Sequence, residues 1–187
     1  VSGPNITIGR KSGSAGFAKR MQSIQKLAAY VGVPAEDKGR TNALIELAGA
    51  TRSKKKIKKI KKILLDTKRT VSNAELLFIH TKGSPIRGIP ARPVIEPAIA
   101  ADGNRQSIAH ELAEVAKATL QDKPDVAQKR LRRAALAGQN AARRWFTDSR
   151  NNWAPNKPAT IRRKKSDKPL IDTGVLRAAI VGITREE

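Results

Sequence analysis

The stretch that most constrains the fold runs from Pro124 to Thr147. Proline is tolerated at the first position of a helix, where its missing N–H leaves nothing unpaired, and no further proline follows before Pro155. Leu131, Ala135, Gly138, Ala142 and Trp145 then recur at offsets of 4, 7, 11 and 14, which places them on one helical face. Three of the five are Ala or Gly, so another backbone can approach closely. Lys129, Arg130, Arg132, Arg133, Arg143 and Arg144 crowd the remaining surface. The spacing predicts a helix over about 125–147 whose small-residue stripe faces the chain's own core, with a subunit interface as the alternative.

Little else is available to fill that core. Leu, Ile, Val and Phe make 42 of 187 residues, about 22%, just above the ~20% below which highly charged chains stay unfolded. Twenty-seven alanines fill close contacts. A thin aliphatic core leaves a small margin against conformational entropy, so neighbouring subunits are expected to complete the buried surface. The length suits one domain, with or without an arm, and not a multidomain enzyme.

Charge narrows the partners. Lys and Arg number 38 against 16 Asp and Glu, a formal net charge of +22. That balance calls for an acidic partner: a nucleic-acid backbone, an anionic membrane surface or an acidic protein. Cysteine is absent, which removes disulfides, zinc knuckles and a thiol nucleophile. Neither a run of ~18 apolar residues nor an apolar signal core is present, and the expectation is a soluble protein made in a cytoplasm.

Elsewhere the local signals are mixed. Residues 1–13 read as a Gly/Ser-rich arm with a short alternation at Ile6-Thr7-Ile8. Ser14 opens a helix with Phe17, Met21, Ile24, Leu27 and Ala28 on one stripe, expected to face the core. Residues 29–33 read as a strand before Pro34, and 41–50 as a helix capped by Thr41 or Asn42. In 51–69, ten Lys or Arg face a single Asp66, while Ile57, Ile60, Ile63 and Leu64 keep helical spacing. Asn73 is the expected cap of a helix through His80, and prolines break up 89–100. Ile108, Leu112, Val115 and Leu120 mark a helix up to Asp122. After Asn151 the chain is polar and prolyl, with one helical turn after Pro158. Asp172 or Thr173 then caps a short helix over 174–180, and 181–183 alternates like a last strand.

Catalytic chemistry finds little support, and the chain reads as no enzyme, with neither cofactor nor metal. His80 and His110 are thirty residues apart and in no metal-binding spacing. The glycines from Gly9 to Gly16 lack the Gly-Lys-Ser/Thr end of a phosphate loop. Capping accounts for Asp172 and ion pairing for Asp167. Six aromatics give no stacking platform for single-stranded bases, and no zinc-finger or helix-turn-helix spacing appears, so any DNA contact would be to phosphates.

Two stretches carry a resemblance. Residues 73–98, NAELLFIHTKGSPIRGIPARPVIEPA, and 153–180, WAPNKPATIRRKKSDKPLIDTGVLRAAI, with a long helix between, resemble the bacteriophage virion-morphogenesis proteins that complete the neck or tail end. The pattern spans about 70–183, with a weaker likeness at YVGVP, 30–34. Thr81 and Lys82 stand where the family often has an acidic and an aromatic residue, and 51–69 looks like an insertion. The resemblance implies an α+β subunit, a small antiparallel sheet packed against one long helix, with shorter helices and an extended N-terminal arm (1–13) ahead of a single domain (14–187). It implies a ring of six subunits, with twelve as the alternative, in the virion at the head–tail junction, assembled in the host cytoplasm. Portal or connector proteins and tail proteins would be its partners, with contact to genomic DNA and none to membrane. Pro90, Arg92, Pro93, Asp172, Thr173 and Gly174 read as turn and cap devices, Arg92 being available for an ion pair or subunit contact. Lys54, Lys55, Lys56, Lys58, Lys59, Lys61 and Lys62 are the candidate contacts to DNA or an acidic partner. The competing reading is a non-specific basic nucleic-acid-binding protein.

Overall fold

The structure, a computed structural model, describes residues 13–34, 45, 48–65 and 71–186. The expected arm, 1–13, lies outside the described residues except for Gly13, which is helical. Of the helix expected over 41–50, only Ile45 and residues 48–50 are described, and they are helical. The architecture is α+β, as expected, with a two-stranded antiparallel sheet, one long helix and several shorter ones.

The long helix, α6 (Pro124–Trp145), begins with proline in its first turn and buries all five residues of the expected stripe, together with Ala127, Ala134 and Ala141. The helix before it, α5 (Asn104–Leu120), forms a hairpin with α6. Asp122 makes the turn with φ 58°: the Lys123 N–H donates to the Ala118 carbonyl at 2.9 Å and the Asp122 N–H to that of Thr119 at 3.1 Å. Arg130 of α6 bridges to Glu111 at 3.2 Å and Glu114 at 3.9 Å on α5.

On another side of α6 lies the sheet, β1 (Leu27–Gly32) paired antiparallel with β2 (Val181–Glu186), Tyr30 opposite Ile183 and Val31 opposite Gly182. Glycine is required at one side of this contact, Gly182, and the other side is tight. A Cβ on Gly182 would sit inside the Ala135 carbonyl of α6, and one on Gly138 would approach Val31 Cγ2 to 2.7 Å. The Gly182 N–H donates to Gln139 Oε1 at 2.9 Å, so the strand is hydrogen-bonded to the helix it rests on. Because side chains alternate along a strand, Tyr30 and Ile183 point away from α6 and stay exposed.

The main core lies at the C-terminal end of α6. Ala142, Trp145 and Phe146 meet Leu77 of α3 (Asn73–Lys82), Val94, Ala98 of α4 (Ile95–Ala100), Leu176 of α8 (Val175–Ala178) and Ile180. A smaller cluster joins Val115, Ala118, Ala127 and Leu131 beneath Leu27. Arg143 ties α6 to the link between α8 and β2 by donating to the carbonyls of Ile180 at 2.9 Å and Ala178 at 2.7 Å. After α6, Asp148 accepts from the Arg150 main chain at 3.0 Å and side chain at 2.9 and 2.7 Å, which holds its carboxyl down at about 2.

Four local expectations are corrected. In α1 (Gly13–Gln25), Phe17 is 52% and Met21 41% exposed, so the stripe expected on the core faces outward at these positions. The strand begins at Leu27, two residues early, and takes Leu27 and Ala28 from that stripe. The cap of α3 is Ser72, not Asn73: Ser72 Oγ accepts from the Glu75 N–H at 3.1 Å while the Glu75 carboxylate accepts from the Ser72 N–H at 2.8 Å. This reciprocal pair matches the Ser-x-x-Glu signature, and Asn73 is buried as the first helical residue. Finally, Asp172 caps no helix. The residue before α8 is Gly174, at φ 87°, and only Thr173 Oγ1 reaches the Val175 N–H, at a long 3.4 Å.

Candidate functional site

The two stretches that carry the resemblance lie against each other. Between Gly83 and Arg92 the backbone doubles back in a tight hairpin: Ser84 and Ile89 exchange N–H···O bonds of 2.8 and 2.9 Å around the 3₁₀ turn Pro85–Arg87. Gly83, at φ 75°, lies so close to Ala91 that a Cβ would come within 2.8 Å of its nitrogen. Pro90 and Pro93 keep the following segment extended, where it has no ladder partner of its own.

Side chains satisfy that segment instead. Arg92, only 6% exposed, donates from Nε (3.3 Å) and Nη2 (2.8 Å) to the Ala154 carbonyl and from Nη2 to that of Pro155 (3.3 Å). Its own N–H donates to the His80 carbonyl at 2.6 Å. Trp153 Nε1 donates to the Pro93 carbonyl at 3.1 Å, and the Trp153 ring meets Phe146 edge-on at 5.9 Å. Burial pushes the Arg92 guanidinium below its ordinary range. Buried Asn156 closes the second stretch on itself, donating from Nδ2 to the Asp167 carbonyl at 2.8 Å.

A cleft of about 210 Å³ opens where these parts meet, lined by Arg92, Asn156, Arg163, Lys164, Asp172 and Thr173 among others. It continues into a wider groove of about 790 Å³ between the hairpin and residues 154–157. Arg163 and Lys164 come from α7 (Pro158–Lys164), which starts on a proline and carries its cations in its last turn, where the helix dipole favours them. Lys164 donates to the Lys168 carbonyl at 2.7 Å. Burial lowers its ammonium; Asp172 pulls it back up, while Arg92, Lys59 and Arg163 push it further down.

The lysine-rich stretch joins the same cleft. Residues Lys54–Leu65 form a helix, α2, in which Ile60 is fully buried and Lys54, Lys55, Lys56, Lys58, Lys61 and Lys62 are exposed. Lys59, a third exposed, is paired with Asp172. The structure therefore brings Arg92, Asp172, Thr173 and Gly174 around one cleft, with Lys59 tied to it through Asp172, while the other six lysines stay in solvent. Arg163 and Lys164 escaped the sequence reading because their signal, a basic run after a proline, resembles any solvated helix end. Among the described residues, no group of three or more His, Asp or Glu lies close enough to share a metal ion, and no helix is long and apolar enough to cross a membrane. No protein-family model matches the chain, and neither a curated protein nor a solved structure does.

Proposed function

We propose that this chain is a structural subunit of a bacteriophage virion, one member of a closed ring at the head–tail junction that joins connector to tail around the DNA path. The observation that carries the reading is the placement of apolar side chains. The buried core is rich in alanine, while Phe17, Met21, Phe78 and Leu136 lie exposed, and Ile86, at the tip of the hairpin, is 99% exposed. A chain with so few large apolar residues that leaves these outside is built to bury them against neighbours, and a head-to-tail contact repeated around a closed rotation does so. The resemblance of 73–98 and 153–180 to neck and tail-completion proteins supports the same reading, since these two stretches hold one another through Arg92 and Trp153. Portal or connector proteins and tail proteins are the proposed partners on the two faces.

The test is the mass of the protein, freed of nucleic acid at high salt, by light scattering, with negative-stain images of the same sample. Closed rings without DNA are expected. A stable monomer that coats duplex DNA would overturn the reading in favour of a basic nucleic-acid-binding protein.

A further inference from the structure

Around Asp172 the charges do not balance. Lys59, Arg92, Arg163 and Lys164 all act on this one cleft, and Asp172, the only carboxylate among the described residues that line it, already has Lys59 as partner. Arg92 has spent Nε and Nη2 on main-chain carbonyls, but Nη1 has no acceptor among the described residues. Like charges gathered in a partly buried cleft repel unless an anion joins them, because the surrounding protein screens them less than water does.

The neighbouring helix has the same shortfall over a longer range. Three of its lysines, Lys54, Lys55 and Lys56, stand at the N-terminal end, where the helix dipole disfavours cations, and its first turn holds no acidic residue. With twelve residues it is ~18 Å long at 1.5 Å per residue. Six lysines besides Lys59 over that length need a partner of comparable charge density. Duplex nucleic acid, with one charge per about 1.7 Å of axis, has it, whereas folded protein surfaces mix both signs.

We infer that the cleft formed by Arg92, Arg163 and Lys164 binds a phosphate of a nucleic-acid backbone, and that α2, latched beside it by Lys59–Asp172, runs along the phosphates that follow. The contact is with phosphate and carries no base sequence. Arginine supplies directional N–H donors in the cleft, and lysines supply mobile point charges along the helix. A single chain suffices for this surface, so it stands or falls independently of ring assembly.

The test uses the full chain and a fluorescein-labelled mixed-sequence DNA duplex, with affinity measured between about 50 and 200 mM salt. Each lost phosphate contact flattens the plot of log affinity against log salt by about 0.9, so R163A/K164A, which empties the single phosphate site of the cleft, should flatten it by about 0.9. K129A/R133A, which removes two exposed cations of α6 outside the cleft, should change it far less. If circular dichroism shows R163A/K164A unfolded, R163Q/K164Q keeps an amide donor for the Lys168 carbonyl and takes its place. The inference fails if the cleft variant keeps the wild-type slope, if the α6 variant flattens it equally, or if poly-glutamate at equal charge outcompetes the duplex.

Discussion

The seat of the sheet on α6 and the junction of the two motif stretches solve the same problem by opposite means. At the first, backbone meets backbone: Gly138 and Gly182 remove the side chains that would intervene, and the strand is held by close contact. At the second, prolines deny the backbone its own ladder, and Arg92 and Trp153 reach across to occupy the carbonyls of Ala154 and Pro93. One region depends on the absence of atoms, the other on particular atoms. A substitution that adds volume should therefore harm the first, and one that removes a donor should harm the second.

The sharpest break is expected from Gly182→Ala, whose new methyl overlaps main-chain atoms that cannot turn aside; it should cost about 3 kcal/mol in urea unfolding. Gly138→Ala, facing only the rotatable Val31 side chain and gaining about 1 kcal/mol of helix preference, should cost under about 1 kcal/mol. Equal losses would mean that the sheet does not rest on α6 through these glycines. At the junction, Arg92→Lys keeps the charge and loses the fork; it should cost about 2 kcal/mol, because one ammonium cannot serve the Ala154 and Pro155 carbonyls as the guanidinium does. A variant as stable as the wild type would show that charge alone holds the junction.

Smaller effects sharpen the same contrast. Asp172→Ala should cost less than about 1 kcal/mol, the worth of a part-exposed ion pair, whereas loss of a helix cap would cost about 1–2 kcal/mol. Asp148, outside both regions, should titrate by NMR with a midpoint at about 2, below its ordinary 3.8. Because the folded value is depressed, whatever the Asp148–Arg150 pair adds to stability is present above the ordinary carboxylate range and is lost as pH falls through about 2. A midpoint near 3.8 would show the pair to be open in solution.

The two regions also differ in how far they can be read from sequence. The α6 stripe is periodic, and period survives translation into structure: all five of its expected residues are buried. Phe17 and Met21 follow an equally good period and face outward, since periodicity shows that residues share a face and not what covers it. Asn and Asp both favour the cap position, which is why Asn73 and Asp172 suggest caps in the sequence. Ser72 with Glu75 offered a reciprocal pair three residues apart, a stronger signal than either. The Arg92–Ala154 contact spans 62 residues and no local pattern encodes it. Nor does any pattern announce that Lys59 reaches Asp172 across 113 residues.

The sheet has a consequence for the order of folding. Its strands, 27–32 and 181–186, are separated by almost the whole described chain, and they pair with no other strand among the described residues. Closing a loop of about 150 residues costs on the order of 4 kcal/mol before any contact rewards it. The α5–α6 hairpin needs only a three-residue turn and can form at once. During synthesis the helices would assemble first, and the part of α6 at Ala135 that Gly182 covers stays bare until residues 181–186 have emerged. The strand that completes the structure is the one the ribosome releases late, and until then the nascent chain carries an open seat for a β-strand from any source.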